Sequence, residues 1–285
     1  MLKTVMPLLI IFSFFFIGCS DPMEKATASL ASGDYKTAIR NYRRAAREGI
    51  LGANERLSEM YSKGQGVPKD YDEAIRWYTK PAEQGEISAQ TQIGLLYLRG
   101  RGPGSTQDYT TALKWLKKPA EKGDAEAQGA IGYIYKIGVY TAPKNYAEAL
   151  KWLTQSAERG NSFAQFHLAD MFYQGTGVAK DLNKAFSYME KAAKIGNPEA
   201  MRGLGMLYQT GEGVQPDPVE ANRWFLTAVA HGNDLARSNS NVLQGGMTVE
   251  QIQESQRRAS GERDMLTKSN NAQPGGTADA NSGHR

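Results

Sequence analysis

The chain has 285 residues, with 34 Lys and Arg against 30 Asp and Glu and a formal net charge of +4. So small an excess, with both signs interspersed, argues against strong nucleic-acid binding. A single cysteine rules out an intramolecular disulfide framework, so the fold must hold by side-chain burial alone.

The first element is the segment MLKTVMPLLIIFSFFFIGCSDP. From Val5 to Ile17 it is apolar apart from Pro7 and Ser13, and Lys3 is the only charge before it. A bilayer-crossing helix needs roughly 20 apolar residues. A positive start, an apolar stretch of about 7–15 residues and a small residue at the cut fit a secretory signal instead. Residues 1–18 are read as that signal. Phe16-Ile17-Gly18-Cys19 resembles the lipobox of bacterial lipoproteins, with Phe16 where that family usually has Leu. The resemblance implies that Cys19 becomes the acylated first residue and that 19–22 is a short lipidated linker. With Ser20 rather than Asp next, it implies the periplasmic face of the outer membrane. An ordinary secretory signal cleaved near Gly18, leaving a free thiol, and a retained anchor are the alternatives.

Beyond the linker the chain repeats itself. Ala53, Ala89, Ala127, Ala164, Ala200 and Ala236 recur at spacings of 36, 38, 37, 36 and 36. Gly49, Gly85, Gly123, Gly160, Gly196 and Gly232 keep the same spacings, and Trp77, Trp115, Trp152, Tyr188 and Trp224 follow the same register. Periods of this length mark stacked repeats. Each unit reads as two helices. The first carries one apolar face, as in Ala53, Leu57, Met60 and Tyr61. Beside that face stands a small residue, Ser58, Gly94, Gly132, Ala169 or Gly205, which implies close approach of a neighbouring helix. Glycine pairs such as KGQGV, QGTGV and TGEGV then end the helix. They read as C-caps and turns, not phosphate loops, because no strand precedes them. The second helix starts at Asp70, Asp108, Asn145, Asp181 or Asp217, each a capping residue. The recurring Trp and Tyr are expected in the core. Pro81 and Pro119, late in two of these helices, are expected to bend them.

The pattern A-x3-L-G-x-[ML]-Y-x2-G-x-G-V…D-x3-A-x2-W-[YL]-x3-A-x2-G resembles the Sel1-like repeat of the tetratricopeptide superfamily, best in AQFHLADMFYQGTGVAKDLNKAFSYMEKAAKIGN. Tyr140 departs from it where a loop glycine belongs. The resemblance implies an all-α fold, a right-handed α/α superhelical solenoid of about seven helix pairs. The repeat region is placed at 23–260, with atypical capping ends. The last cap is the polar helix TVEQIQESQRRA, and the polar tail 261–285 is expected to be disordered.

In the superfamily the first helices line a concave binding face. The third, seventh and tenth residues of each first helix share a side: Glu55, Glu59, Ser62; Thr91, Leu95, Leu98; Gly129, Tyr133, Lys136; Phe166, Asp170, Tyr173; Arg202, Met206, Gln209. Framework positions repeat and these do not, and several are aromatic, Met or Arg, types favoured in binding patches. Leu95, Leu98, Tyr133, Phe166, Asp170, Tyr173, Arg202 and Met206 are the candidate partner-binding residues, unless they pack against the next repeat. Lys36, Arg40, Arg43, Arg44 and Arg47 form a basic stripe on an early helix, a candidate contact for anionic headgroups or a solvated cap face.

Nothing gathers the groups that chemistry needs. His167, His231 and His284 have no metal-ligand spacing with Cys, Asp or Glu. The serines lack a nucleophile motif. No catalytic residue, metal or cofactor is expected. A non-enzymatic envelope lipoprotein that binds a protein partner is the leading reading. By resemblance it is an adaptor, or an immunity protein neutralising a secreted effector such as a type VI lipase. A scaffold for secretion or polysaccharide export is the alternative. A cell-wall or β-lactam-related hydrolase is the alternative of another class, and this chain lacks the paired cysteines of the relatives that suggest it.

Overall fold

A computed structural model describes residues 21–50, 52–100, 107–139 and 142–272, with side chains to 261. The signal 1–18, Cys19, Tyr140 and His284 lie outside the described residues. The chain divides at Pro81 into two compact bodies. The first holds α1 (Pro22–Ala31), α2 (Tyr35–Arg47), α3 (Ala53–Lys63) and most of α4 (Tyr71–Glu83). The second holds α5 (Ile87–Arg99), α6 (Tyr109–Glu121), α7 (Ala125–Ile137), α8 (Tyr146–Glu158) and α9 (Ser162–Gln174). It continues with α10 (Leu182–Lys194), α11 (Pro198–Thr210), α12 (Pro218–Ala230), α13 (Leu235–Gln244) and α14 (Val249–Ala272). Among the described residues these make seven helix pairs, of the α/α solenoid class. Among the described residues there is no strand, only an isolated bridge between Val139 and Ala142.

The expected caps are in place. Asp70, Asp108, Asn145 and Asp181 accept from the backbone N–H three residues on, at 2.9 to 3.1 Å, and Asp217 accepts from Val219 and Glu220. Several first helices are capped too, though α3 and α5 have no side-chain cap, and the repeat pattern had not shown this. Asp124, Asn161, Asn197 and Asn233 accept from the N–H of Ala127, Ala164, Ala200 and Ala236 at 2.8 to 3.2 Å. Those alanines are the ones that set the register. Each such cap contributes about 1 kcal/mol.

The small residue of each first helix is where its partner helix lies closest. A Cβ on Gly94 would stand 2.5 Å from Leu116 Cγ, on Gly132 2.7 Å from Leu153 Cγ, and on Gly205 2.6 Å from Phe225. At Ser58 the same slot is filled by a hydroxyl that donates to the Ala74 carbonyl. The corresponding carbonyls, of Ala112 and Ala221, would lie 3.3 and 3.0 Å from the added Cβ of Gly94 and Gly205. The second glycine of each pair has its own role. Gly66 and Gly177, both at φ +72°, pass so close to Tyr35 and Tyr146 that a Cβ would collide. That glycine is therefore where a loop rests on the second helix of the preceding pair.

Buried glutamines tie one pair to the next. Gln90, Gln128 and Gln165 donate through Nε2 to the carbonyls of Ala82, Ala120 and Ala157, at 2.8, 3.0 and 3.1 Å. Those carbonyls belong to the last turns of second helices, whose acceptors have no partner within the helix.

Two expectations meet a different outcome. Among the repeating aromatics only Trp224 is fully buried. Trp152 and Tyr188 lie half-buried at the core edge, with Lys151 and Lys191 over their rings at 5.4 and 5.3 Å. Large rings with a polar atom are better placed where that atom can meet water. The helices with Pro81 and Pro119 continue two residues past the proline and are 13 residues long, as α8 is. The second difference is that α14 runs to Ala272, twelve residues past the boundary expected at 260, and 273–285 lie outside the described residues. No proline interrupts it, and Glu254 pairs with Arg257 and Arg258 one turn on.

Candidate partner-binding site

In the second body the first helices α5, α7 and α9 neighbour one another, so their faces adjoin. The centre of this surface is a cluster of rings from α7 and α9. Tyr133 lies 5.5 Å from Phe163 and 4.8 Å from His167, centroid to centroid. His167 is 4.3 Å from Phe163 and 5.1 Å from Phe166. Phe163 remains 37% exposed although it touches two rings of the cluster.

Beside the rings runs a polar line. Lys136 Nζ is 2.5 Å from Asp170 Oδ2 and 3.3 Å from His167 Nδ1. The lysine side chain is only 14% exposed. Burial, with Lys136 beside it, pulls the His167 imidazole down to about 3. It is therefore neutral at any physiological pH. Towards α5, Glu126 accepts from Gln92 Nε2 at 3.2 Å, and burial and the nearby Asp124 carboxylate push its carboxyl above the ordinary range. Towards α11, Tyr173 donates to Glu212 at 2.8 Å, and this bond and burial raise its phenol. Arg202 donates to Met206 Sδ at 3.4 Å, and Met206 is 39% exposed.

The eight residues named from sequence separate into two groups. Leu95 and Leu98 pack against the core that includes Leu116, Ile131 and Ile134. Phe166 and Tyr173 pack against the core that includes Met201 and Leu204. These four fill space between repeats while staying partly open, and Phe166 in addition joins the ring cluster through its contact with His167. Tyr133, Asp170, Arg202 and Met206 belong to the ring cluster, its polar line and the adjoining edge. The selection left out Phe163, His167 and Lys136. Their signal was in the sequence: 163, 166, 167 and 170 follow helical spacing on one side of α9, and Lys136 shared the face of Tyr133. Of the other histidines, His231 stands at the C-cap of α12.

In the first body the basic stripe lies on the outer side of α2. Lys36, Arg40, Arg43, Arg44 and Arg47 are exposed, and Ala38, Ile39, Tyr42 and Ala45 are buried behind them. Among the described residues no group of three or more His, Cys, Asp or Glu is placed to hold a metal ion. No helix there is long and apolar enough to cross a membrane.

Helix pairs that share one repeated framework, with a varied and ring-rich side on their first helices, define an α/α helical-repeat protein, a class built for binding other proteins. The Sel1 repeat model matches residues 30–50, 52–86, 87–124, 125–161, 162–197 and 198–233. The chain belongs to the Sel1 repeat family. It is 32% identical to a Sel1 repeat protein from Oxalobacter formigenes, covering 87% of this chain and 99% of that one, with a TM-score of 0.67. The fold is also that of an immunity protein from Pseudomonas aeruginosa, at 19% identity over 76% of this chain and 88% of that one, TM-score 0.52. No curated protein matches the chain significantly. Sel1 repeats are a protein-interaction fold, typically without catalysis.

Proposed function

We propose that this is a non-enzymatic lipoprotein of the bacterial envelope, acylated at Cys19, that grips a protein partner through the α7–α9 surface. The observation that carries the binding site is the cluster of Tyr133, Phe163, Phe166 and His167, open at Phe163 and flanked by Lys136, which reaches His167 and pairs with Asp170. Aromatic groups fixed in place lose little freedom on binding, so such a cluster is a favourable centre for an interface. The lipobox-like Phe16–Cys19 supports the envelope placement, on the periplasmic face of the outer membrane.

The partner we favour is a toxic effector delivered to the periplasm, which this protein would neutralise. That an immunity protein from Pseudomonas aeruginosa has the same fold supports this reading. The test is the triple substitution Tyr133→Ala, Phe163→Ala, Phe166→Ala. It should abolish co-purification of the effector that the wild type captures, and protection from it, while helix content stays as in the wild type. Undiminished capture and protection by the triple variant overturns the site. Survival of cells lacking the gene when they meet that effector overturns the immunity role.

A further inference from the structure

We infer that the Arg40–Arg44–Arg47 face of α2 is a membrane-contact surface that lays the first helix pair on anionic lipid headgroups. The inference deepens the proposal that Cys19 is acylated, and rests on it for orientation.

Within its 13 residues α2 carries five basic side chains and no acidic one. Position selects among them. α1 and α2 pack as a hairpin around the turn at 32–34, with Thr27 Oγ1 3.4 Å from the Tyr42 hydroxyl near its middle. The last turn of α2 therefore comes back to the end of α1 where the chain enters from Cys19. Only Ser20 and Asp21 stand between Cys19 and Pro22. Such a stretch reaches at most about 10 Å, close to the screening length of about 8–10 Å near physiological salt. A lipid on Cys19 would thus hold this end of the hairpin within electrostatic range of the bilayer.

Arg40, Arg44 and Arg47 follow one another at four and three residues, so they share a side of the helix. Arg43 turns away, donating to the Tyr61 hydroxyl with its guanidinium 5.9 Å from that ring. Lys36 lies at the far end, where Asp34 interacts with both Arg40 and Lys36 and offsets part of their charge. Acidic groups at the near end offset only part of the charge. Asp21 caps Met23, Glu48 pairs with Arg44 at 2.8 Å, and Glu24 is exposed. A second exposed basic face, Lys114, Lys117, Lys118 and Lys122, lies on and just after α6 in the other body. It supplies a control of equal charge at a different place.

The test is co-sedimentation of the lipid-free chain from Ser20, which keeps every described residue. The vesicles are phosphatidylcholine with about 30 mol % phosphatidylglycerol, or phosphatidylcholine alone, at about 0.1 M salt. Each basic residue near such a surface is worth roughly a fivefold change in affinity. The wild type should bind the anionic vesicles and not the neutral ones. Arg40→Gln, Arg44→Gln and Arg47→Gln together should weaken binding at least about tenfold, while Lys114→Gln, Lys117→Gln and Lys122→Gln stay within about twofold. Failure of the wild type to bind, or equal losses in the two triple variants, overturns the inference. The mass of the N-terminal peptide from the native protein tests acylation separately, so either idea can fail while the other stands.

Discussion

The ammonium of Lys136 on α7 stands 3.3 Å from Nδ1 of His167 on α9. An ammonium only donates, so Nδ1 accepts and the ring proton resides on Nε2. Burial, with this lysine nearby, holds the imidazole at about 3 against an ordinary 6.5. Between those values the unfolded chain binds the proton and the folded one does not. Stability from this group is complete above about 6.5 and declines as pH falls towards about 3, by up to about 1.4 kcal/mol per pH unit. His167→Phe keeps a ring and removes the titration. Urea midpoints of the variant should drop less between pH 6.5 and 4 than those of the wild type; parallel curves would show that His167 is not the cause.

The glycines of α7, α11 and α14 should respond with opposite signs to one substitution. Gly132→Ala and Gly205→Ala drive a Cβ onto Leu153 and Phe225, and the Ala221 carbonyl would lie 3.0 Å from the second. Overpacking of this kind costs about 1–3 kcal/mol, against about 1 kcal/mol gained in helix propensity. At Gly261 nothing lies within 4 Å, so Gly261→Ala should gain about 0.5–1 kcal/mol. Denaturant titration of the three variants measures this directly.

Asn222 should prove to be the fastening of the terminal cap. Fully buried, it donates to Ser255 Oγ at 2.6 Å and accepts from Ser240 Oγ at 2.6 Å and Gln244 Nε2 at 3.2 Å. Asn222→Ala takes from Ser255 Oγ its donor and from Ser240 Oγ its acceptor inside the core, and should cost about 2–3 kcal/mol. Hydrogen exchange should quicken in α13 and α14 before it does in α8. Unchanged protection of α14 would mean that apolar contacts alone hold it.

Stability and binding should separate along the α5–α9 surface. Leu95→Ala removes a side chain packed on the α6–α7 core and should cost about 1–2 kcal/mol of stability. Partner affinity should hold. Phe163→Ala, at a side chain already 37% exposed, should cost less than about 1 kcal/mol of stability. It should weaken the partner at least tenfold, as central aromatic anchors do. Calorimetric binding and thermal melts of both variants check the pair.

How much of this could be read beforehand differs from residue to residue. Asp108 and Asn145 were identifiable as caps because each precedes an apolar helical run by one turn. Asn161 and Asn197 cap as well, but each follows a repeating glycine and looks like turn composition. Gly94 and Gly132 announced close approach, since glycine in mid-helix is retained at a cost. Gln128 gave no such sign: a glutamine beside an alanine is ordinary surface chemistry until a neighbouring helix ends against it. Leu98 and Phe166 looked like partner residues because they vary between repeats. They vary also because each seam between repeats has its own shape.

The amino-acid order by itself determined the all-α class, the 36- to 38-residue repeat and the ends of most helices. Helical periodicity, caps and glycines act within a few residues of one another, so that information is local. Tertiary structure alone decided that Tyr133, Phe163, Lys136, His167 and Asp170 meet in one cluster, and that the last turn of α2 returns to the start of α1. Those residues come from different helices, and which side chains meet depends on how one helix pair settles on the next.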